Sequence, residues 1–437
     1  QTKDHVFHGK IDTANLALIG HSRGGEAVAH AAMFNRLPYY PDDASVKFDY
    51  DFNIKSIVAI APVDGQYEPG ETRAKFKDVS YFVLHGAQDA DVSSYMGSQQ
   101  YERVRFTDSL YHFKAGVYIY GANHGQFNTS WGENDTGNPF IGLLNLKQLL
   151  PAEDQLDIAR VYISSFLDIT LKNKKEYLPL FIDARTGRDW LPETLYLSQF
   201  EDSSFRPIAD FDEDFNLATP SQAGGEIHSR NLSVWREQEI KLKWQKKGSR
   251  ALFVGWNYEL EDPSDSVSSL PDSLIASYTV GLRPVSIDST AALVFSMAES
   301  KESANPKSEG KWAENNNGPD EGNNKDESET DEAETEEDEE EEQEDEEGKK
   351  PLDFTIQLRD STGQVAAFPL SRFSGLQREI EVVLKKTDFI ADEKESEKVF
   401  QTFYFPAAAL REINPNFQIS GIEEVKFIFD RSEKGVV

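Results

Sequence analysis

Residues 15–32 read NLALIGHSRGGEAVAHAA, and the interpretation of the first part of the chain depends on this stretch. The apolar run Leu16–Gly20 is typical of a short buried strand, and the Ala-rich segment Arg23–Phe34 has the apolar spacing of a helix. Ser22 lies between them in a Gly-x-Ser-x-Gly pattern, which in a strand–turn–helix holds a serine hydroxyl above the sheet. Ser22 is therefore either a nucleophile on a tight turn or the N-cap of the helix.

The glycines of this turn favour the first interpretation. A serine on so tight a turn takes a strained backbone conformation, and we expect a side chain at Gly20 or Gly24 to collide with neighbouring backbone. The same turn directs the backbone N–H of Arg23 to the place where an oxyanion would form. Ser22 is thus the candidate nucleophile, and His21, which adjoins it, is a candidate pocket residue.

His124 is the candidate general base. A nucleophilic serine needs a base and an acid that orients the base, and in this topology both come from loops after later strands. His124 stands between two glycines in GANHG, directly after the strand-like run Ala115–Gly121. A lone histidine at a strand end is usually a polar surface residue, but this one follows the last strand of the alternating region and precedes its closing helix.

Two aspartates compete for the role of the acid. Asp89 and Asp91 both follow the apolar run Tyr81–Gly86. We favour Asp89, because it stands three residues after Gly86, the usual spacing for this acid. Asp91 remains the alternative acid, and its competing interpretation is a cap for the next helix.

Further pocket candidates lie near the same predicted sheet edge, where ligands bind in open α/β sheets. One group follows the predicted strand Ser56–Pro62, and the other follows the candidate base. They are Asp64, Gln66 and Tyr67 in the first group, and Gln126 and Trp131 in the second.

The pattern of the chain predicts two domains and one insertion. Strand-like and helix-like segments alternate over residues 1–176, which predicts an α/β fold with a parallel sheet and helices on both faces. Short strand-like runs separated by turns predict an all-β sandwich over 177–298 and 351–437. Residues 299–350 hold 23 Asp and Glu against 6 Lys. We expect this segment to be a disordered insertion within one β domain.

Composition excludes several classes of function. A net charge of −32 argues against nucleic acid and anionic membrane surfaces as partners. No apolar run approaches 18 residues, so we expect no membrane span. The absence of cysteine excludes disulfides, thiol catalysis and thiolate metal sites. We expect neither a metal nor an organic cofactor; the compartment is not fixed, with export favoured over the cytoplasm.

Three segments together carry a resemblance to a known family: IGHSRGGEAVAHAA, LHGAQDADVSS and YGANHGQFN. Residues 10–175 resemble the C-terminal two-thirds of an α/β-hydrolase, close to bacterial serine esterases with a Gly-His-Ser-Arg-Gly-Gly elbow. Chlorophyllases and polyester- and lipid-hydrolysing enzymes have similar elbows. The resemblance implies Ser22 as nucleophile, Asp89 as acid, His124 as base and the Arg23 N–H as one oxyanion donor.

The resemblance is partial, because the family sheet has three or four strands before the nucleophile strand, including the loop with the second oxyanion donor. We therefore expect the chain to be a fragment of a longer protein. The β region resembles galactose-binding-like jelly rolls. The leading hypothesis is a serine hydrolase acting on a small or polymeric carboxylic ester. The alternative is a non-catalytic protein that binds a glycan or the cell envelope through the jelly roll, on a degenerate hydrolase scaffold.

Overall fold

Strands and helices alternate over the first half of the chain. The computed structural model describes residues 6, 8–136, 143–260, 266–283, 287–305, 350–386 and 395–437. The elements of the first half are β1 (Leu16–His21), α1 (Arg23–Phe34), β2 (Tyr39–Tyr40), β3 (Asp43–Lys47), β4 (Ile54–Ile60), β5 (Phe76–Lys77), β6 (Ser80–Gly86), α2 (Gly97–Arg103), β7 (Val104–Arg105), β8 (Phe113–Ile119), α3 (Ala152–Lys172), α4 (Leu178–Ile182) and β9 (Tyr196–Asp202).

Five of these strands form the central sheet, in the order β1-β4-β6-β8-β9. The first four are parallel, and β9 joins β8 antiparallel. Because the carboxyl ends of parallel strands meet at one edge of a sheet, the loops after β1, β6 and β8 emerge at the same edge, with β4 between β1 and β6. These loops carry Ser22, Asp89 and His124, respectively.

Both faces of this sheet are covered by helices. Successive strand residues point to opposite faces, so neighbouring residues enter different cores. Val58 and Phe82 join the core that α3 and α4 complete. Ile57 and Tyr81 join the core on the other face, with residues of α1 and α2. The predicted mixture of a parallel sheet and covering helices is therefore present.

The α/β unit extends beyond the predicted boundary at residue 176. Both α4 and β9 belong to it, and Phe181 and Phe200 are buried in the core shared with α3. The assignment of residues 177–202 to the β domain was therefore wrong. The physical reason is that a strand's own alternation does not say which sheet it pairs with, and β9 finds its partner at the edge strand β8.

The second half of the described chain is dominated by antiparallel strands. Its elements are β10 (Glu226–Arg230), β11 (Val234–Lys241), β12 (Lys246–Asn257), β13 (Ser277–Gly281), β14 (Ala292–Met297), β15 (Thr355–Asp360), β16 (Val365–Pro369), β17 (Ile380–Val382), β18 (Glu395–Glu397), β19 (Gln401–Pro406), α5 (Ala407–Ile413), β20 (Ile422–Ile428) and β21 (Lys434–Val436). The larger sheets are β10-β13-β20-β15-β16 and β11-β12-β21. Residues of both sheets share one hydrophobic core, in which Trp256 stacks on Phe429.

Strands on either side of the acidic segment pair with one another. The strand β13 pairs with β20, and β14 pairs with β19. The two stretches of β structure therefore form one unit, as the insertion hypothesis requires.

The prediction of disorder lies largely outside the described residues, since 306–349 are not among them. Residues 299–305 are placed, and here the prediction was wrong. The Ser300 N–H donates to the Val436 carbonyl at 2.9 Å. Glu302 forms ion pairs with Arg236 and Lys398, two cations that the composition of the segment did not reveal. Within the described residues, no helix combines the length and apolarity needed to cross a membrane.

Candidate active site

Ser22 occupies the N-cap position of α1 without capping it. Its backbone has φ 59° and ψ −125°, and its side chain makes no capping hydrogen bond. The Ser22 N–H donates to the Ile60 carbonyl at 2.9 Å, and the Gly25 N–H donates to the Ser22 carbonyl at 2.9 Å. The helix begins at Arg23, so the Arg23 N–H is one of the first-turn amides that have no acceptor within a helix. The Ser22 hydroxyl is therefore not used to cap α1.

Close backbone packing explains two of the three glycines in this turn. A Cβ on Gly20 would lie 1.9 Å from the Gly24 carbonyl oxygen, and a Cβ on Gly25 would lie 2.5 Å from the Pro62 Cβ. The expected collision therefore exists at Gly20. At Gly24 the expectation was wrong, because a Cβ added there would have nothing within 4 Å. The second position of tight contact is Gly25, where α1 crosses the loop after β4.

Asp89 and His124 form a buried acid–base pair. The Oδ2 of Asp89 lies 2.8 Å from Nδ1 of His124, and the two side chains are only 1% and 2% exposed. The other oxygen of Asp89 accepts the N–H groups of Val92 at 2.7 Å and Asp91 at 3.0 Å. Burial raises the pKa of Asp89, and the bonds from His124 and the two amides offset part of that rise. The carboxylate is thus held in place to fix the imidazole.

Asp91 reaches the opposite nitrogen of the same ring. Its Oδ2 lies 3.3 Å from Nε2 of His124, and its side chain is 51% exposed. Among the described residues, Nε2 of His124 has no hydrogen-bond partner. Burial opposes the charged imidazole, but the hydrogen bond and charge of Asp89 and the charges of Asp91 and Asp135 outweigh it and raise the pKa of His124.

Three aromatic rings bring the elbow and the histidine loop together. The His21 ring centroid lies 4.7 Å from that of His124 and 4.9 Å from that of Trp131. Trp131 also stacks on His124 at 5.8 Å, with an angle of 8° between the ring planes. Burial, followed by the charge of His124, lowers the pKa of His21 to about 4, so His21 is neutral at pH 7. Two predicted pocket residues, His21 and Trp131, therefore contact the candidate base.

The remaining predicted pocket residues have other partners. Asp64 is buried and pairs with Arg73 at 3.2 Å and Arg103 at 2.5 Å. The Gln126 side chain is also buried, and it donates to the Leu150 carbonyl at 3.0 Å. These bonds lie within the fold, which argues against a pocket role for Asp64 and Gln126.

Gln66 and Tyr67 lie on an exposed loop that α1 anchors. The Glu26 Oε1 accepts the N–H groups of Gly65, Gln66 and Tyr67 at 2.6, 2.9 and 3.3 Å. The Tyr67 hydroxyl donates to the Tyr40 hydroxyl at 3.0 Å. The structure thus records contacts of these residues with α1 and the β2 strand, and none that joins them to His124 among the described residues.

Sequence reasoning missed Asp135, which ties two functional loops together. Its Oδ2 accepts the N–H groups of Ala90 and His124, both at 3.0 Å. Its Oδ1 accepts the Gly125 N–H and the Asn123 side-chain amide, both at 2.8 Å. One carboxylate thus joins the loop of the acid to the loop of the base. The only signal in the sequence is its position in a polar stretch shortly after His124.

No protein-family model matches the chain, and a search of curated proteins found no match. Within the part of the chain that the structure describes, no group of three or more His, Asp or Glu residues is arranged to hold a metal ion.

Proposed function

We propose that the chain is a serine hydrolase that cleaves a carboxylic ester through an acyl-enzyme. The observation that carries this proposal is the buried Asp89–His124 pair, whose imidazole lies against the ring of His21, the residue next to Ser22. A serine hydroxyl becomes nucleophilic when it can pass its proton to an oriented histidine. Among the described residues, no hydrogen bond joins Ser22 to Nε2 of His124.

The proposed reaction uses these groups in order. Nε2 of His124 takes the proton of Ser22 as its Oγ attacks the ester carbonyl, and Asp89 stabilises the imidazolium. The Arg23 N–H donates to the developing oxyanion. The tetrahedral intermediate collapses as His124 gives its proton to the leaving alcohol. Water, activated by His124, then attacks the acyl-serine and releases the acid.

The finer fold assignments are part of the same proposal. Nucleophile, acid and base follow β1, β6 and β8, in that chain order, at one sheet edge. This supports an α/β-hydrolase-like first unit, and the paired antiparallel sheets support a jelly roll for the second. The substrate class remains a small or polymeric ester. For the alternative of glycan binding, an exposed tryptophan could stack on a sugar ring; Trp256 is buried in the β core, whereas Trp244 is 62% exposed.

Ser22→Gly tests the proposal with little risk to the fold, because glycine adopts φ 59° without strain. We expect hydrolysis of a p-nitrophenyl ester to fall by about 10⁴-fold or more. A fluorophosphonate should label the wild type and not the variant, since only an activated serine reacts. Ser130→Ala, which removes an exposed hydroxyl beside Trp131, is the control and should retain both activities. Unchanged turnover in Ser22→Gly, or an unlabelled wild type, would overturn the assignment.

A further inference from the structure

Both nitrogens of His124 face a carboxylate. Asp89 lies 2.8 Å from Nδ1, and Asp91 lies 3.3 Å from Nε2. In the proposed reaction, Nε2 is the nitrogen that must receive the proton of Ser22. A neutral Nε2 presents a lone pair, which a carboxylate repels, whereas a protonated Nε2 attracts it. The contact with Asp91 therefore belongs to the charged, resting form of the base.

The two carboxylates differ in how firmly they are held. Asp89 is buried and accepts the N–H groups of Asp91 and Val92 in addition to His124. Asp91 is half exposed, and among the described residues its carboxylate has no partner other than His124. Rotating Asp91 away from the ring leaves it in water, so this contact is the one that can open.

The other titratable groups around His124 do not face Nε2 in the same way. Asp135 bonds to the backbone N–H of His124 at 3.0 Å. His21 packs against the His124 ring from the elbow. His85 is buried in β6, and its Nε2 lies 3.0 Å from the Val92 carbonyl oxygen. Burial, followed by the charge of His124, lowers the pKa of both His21 and His85. Asp91 is therefore the charged group at the reactive nitrogen.

We propose that Asp91 is a positioning residue that holds protonated His124 at rest and must leave Nε2 before Ser22 can use the base. This inference rests on the proposed hydrolase function. It predicts a direction for the pH dependence. A carboxylate beside an imidazole raises the imidazole pKa, and hydrolysis needs the neutral base. Removing the Asp91 charge therefore moves the acidic limb of activity to lower pH.

The test compares Asp91→Asn with the wild type in two measurements. The pH dependence of kcat/KM for a p-nitrophenyl ester should show an acidic limb about one pH unit lower in the variant. Below that limb, its kcat/KM should exceed that of the wild type severalfold. NMR titration of ¹⁵N-histidine-labelled protein should show the His124 midpoint moving down by a similar amount, without any need for turnover.

Asp108→Asn is the matched control, because Asp108 lies 3.1 Å from Nε2 of His112 in the same kind of His–Asp contact. It should leave both the titration midpoint of His124 and the acidic limb in place. Asp89→Asn separates the two carboxylates, since it should lower kcat/KM by about 10⁴-fold at every pH.

Each failure has its own signature. An unchanged His124 midpoint in Asp91→Asn would overturn the role of Asp91, whatever the activity. A 10⁴-fold loss of kcat/KM in Asp91→Asn would also overturn it, because Asp91 would then be the triad acid. A lowered His124 midpoint in Asp91→Asn, together with a wild-type protein that hydrolyses no ester, would retain the role of the Asp91 contact and overturn the proposed function instead.

Discussion

At the scale of single residues, the turn at Ser22 shows how a strained position is maintained. A non-glycine residue at φ 59° costs about 1–3 kcal/mol. The bonds to the Ile60 carbonyl and from the Gly25 N–H fix the turn on both sides. A capping serine would have an extended backbone and accept a first-turn N–H. Ser22 has neither feature, so the strain is not explained by helix capping.

The same turn predicts opposite outcomes for two neighbouring glycines. Gly20→Ala places a Cβ 1.9 Å from the Gly24 carbonyl oxygen, so the free energy of unfolding should fall by about 3 kcal/mol or more. Gly24→Ala places a Cβ in open space within the first turn of a helix, and should raise that free energy by up to about 1 kcal/mol. Urea denaturation measures both. Equal destabilisation by the two substitutions would contradict this account of the turn.

At the scale of loops, the Asp135 carboxylate connects the loop that carries Asp89 to the loop that carries His124. Asp135 accepts four N–H donors, from Ala90, Asn123, His124 and Gly125. An ionised carboxylate suits this cradle, since it offers only acceptors. Burial, and then the charge of Asp89, nevertheless raise the pKa of Asp135 to about 6. The carboxylate of Asp135 is therefore repelled by that of Asp89, and the backbone N–H groups bonded to Asp135 offset part of this repulsion.

Asp135→Asn should loosen both loops, because its amide group would turn N–H donors toward other N–H donors. A displacement of about 1 Å at a catalytic group can cost about 10²-fold in rate, and we expect a loss of kcat/KM of that order. Hydrogen exchange at the Ala90, His124 and Gly125 amides should become faster. The control Glu133→Gln changes an exposed carboxylate two residues away and should alter neither quantity. Unchanged exchange at these amides in Asp135→Asn would contradict the role of Asp135 in connecting the two loops.

The loops also show what the sequence can and cannot predict. Asp89 and His124 could be predicted from the sequence, because each follows a recognisable buried strand at a fixed short distance. Asp135 was not, because it stands in the polar stretch WGENDTGN, where neighbouring acids look alike. A related limit applies to Asp64 and Gln126. A position at a strand end is visible in sequence, but the partner of a side chain, such as Arg103 for Asp64, depends on the packed structure.

At the scale of the whole molecule, the β unit contacts the α/β unit just beyond the acid loop. Glu397, in β18, accepts the Ser94 hydroxyl at 3.0 Å and the Tyr95 N–H at 2.8 Å. Its second oxygen accepts the Lys243 N–H at 3.0 Å. Val382 adds apolar contact to the core of α1 and β6. No local pattern predicts this junction, because its partners lie some 300 residues apart along the chain.

Glu397 should therefore contribute to stability across the junction, and Glu397→Ala tests it. The substitution leaves three donors at the junction without this acceptor, which should lower the free energy of unfolding by about 1–3 kcal/mol. Glu226→Ala removes an exposed carboxylate of the same β unit and should change it by less than about 0.5 kcal/mol. Equal effects of the two substitutions in urea denaturation would contradict a stabilising role of Glu397 at the junction.

The difference in unfolding free energy between wild type and Glu397→Ala should depend on pH, and this dependence reports on the charge of Glu397. Burial raises the pKa of Glu397, and the N–H groups of Tyr95 and Lys243 offset part of the rise. For an acid whose pKa is raised in the folded state, the stabilising contribution is complete below its ordinary pKa and is lost as pH rises through the raised one. The gap in unfolding free energy between wild type and Glu397→Ala should thus be widest in acid and narrow toward neutral pH. A gap that widens with pH would mean that the donors favour the ionised carboxylate by more than burial penalises it.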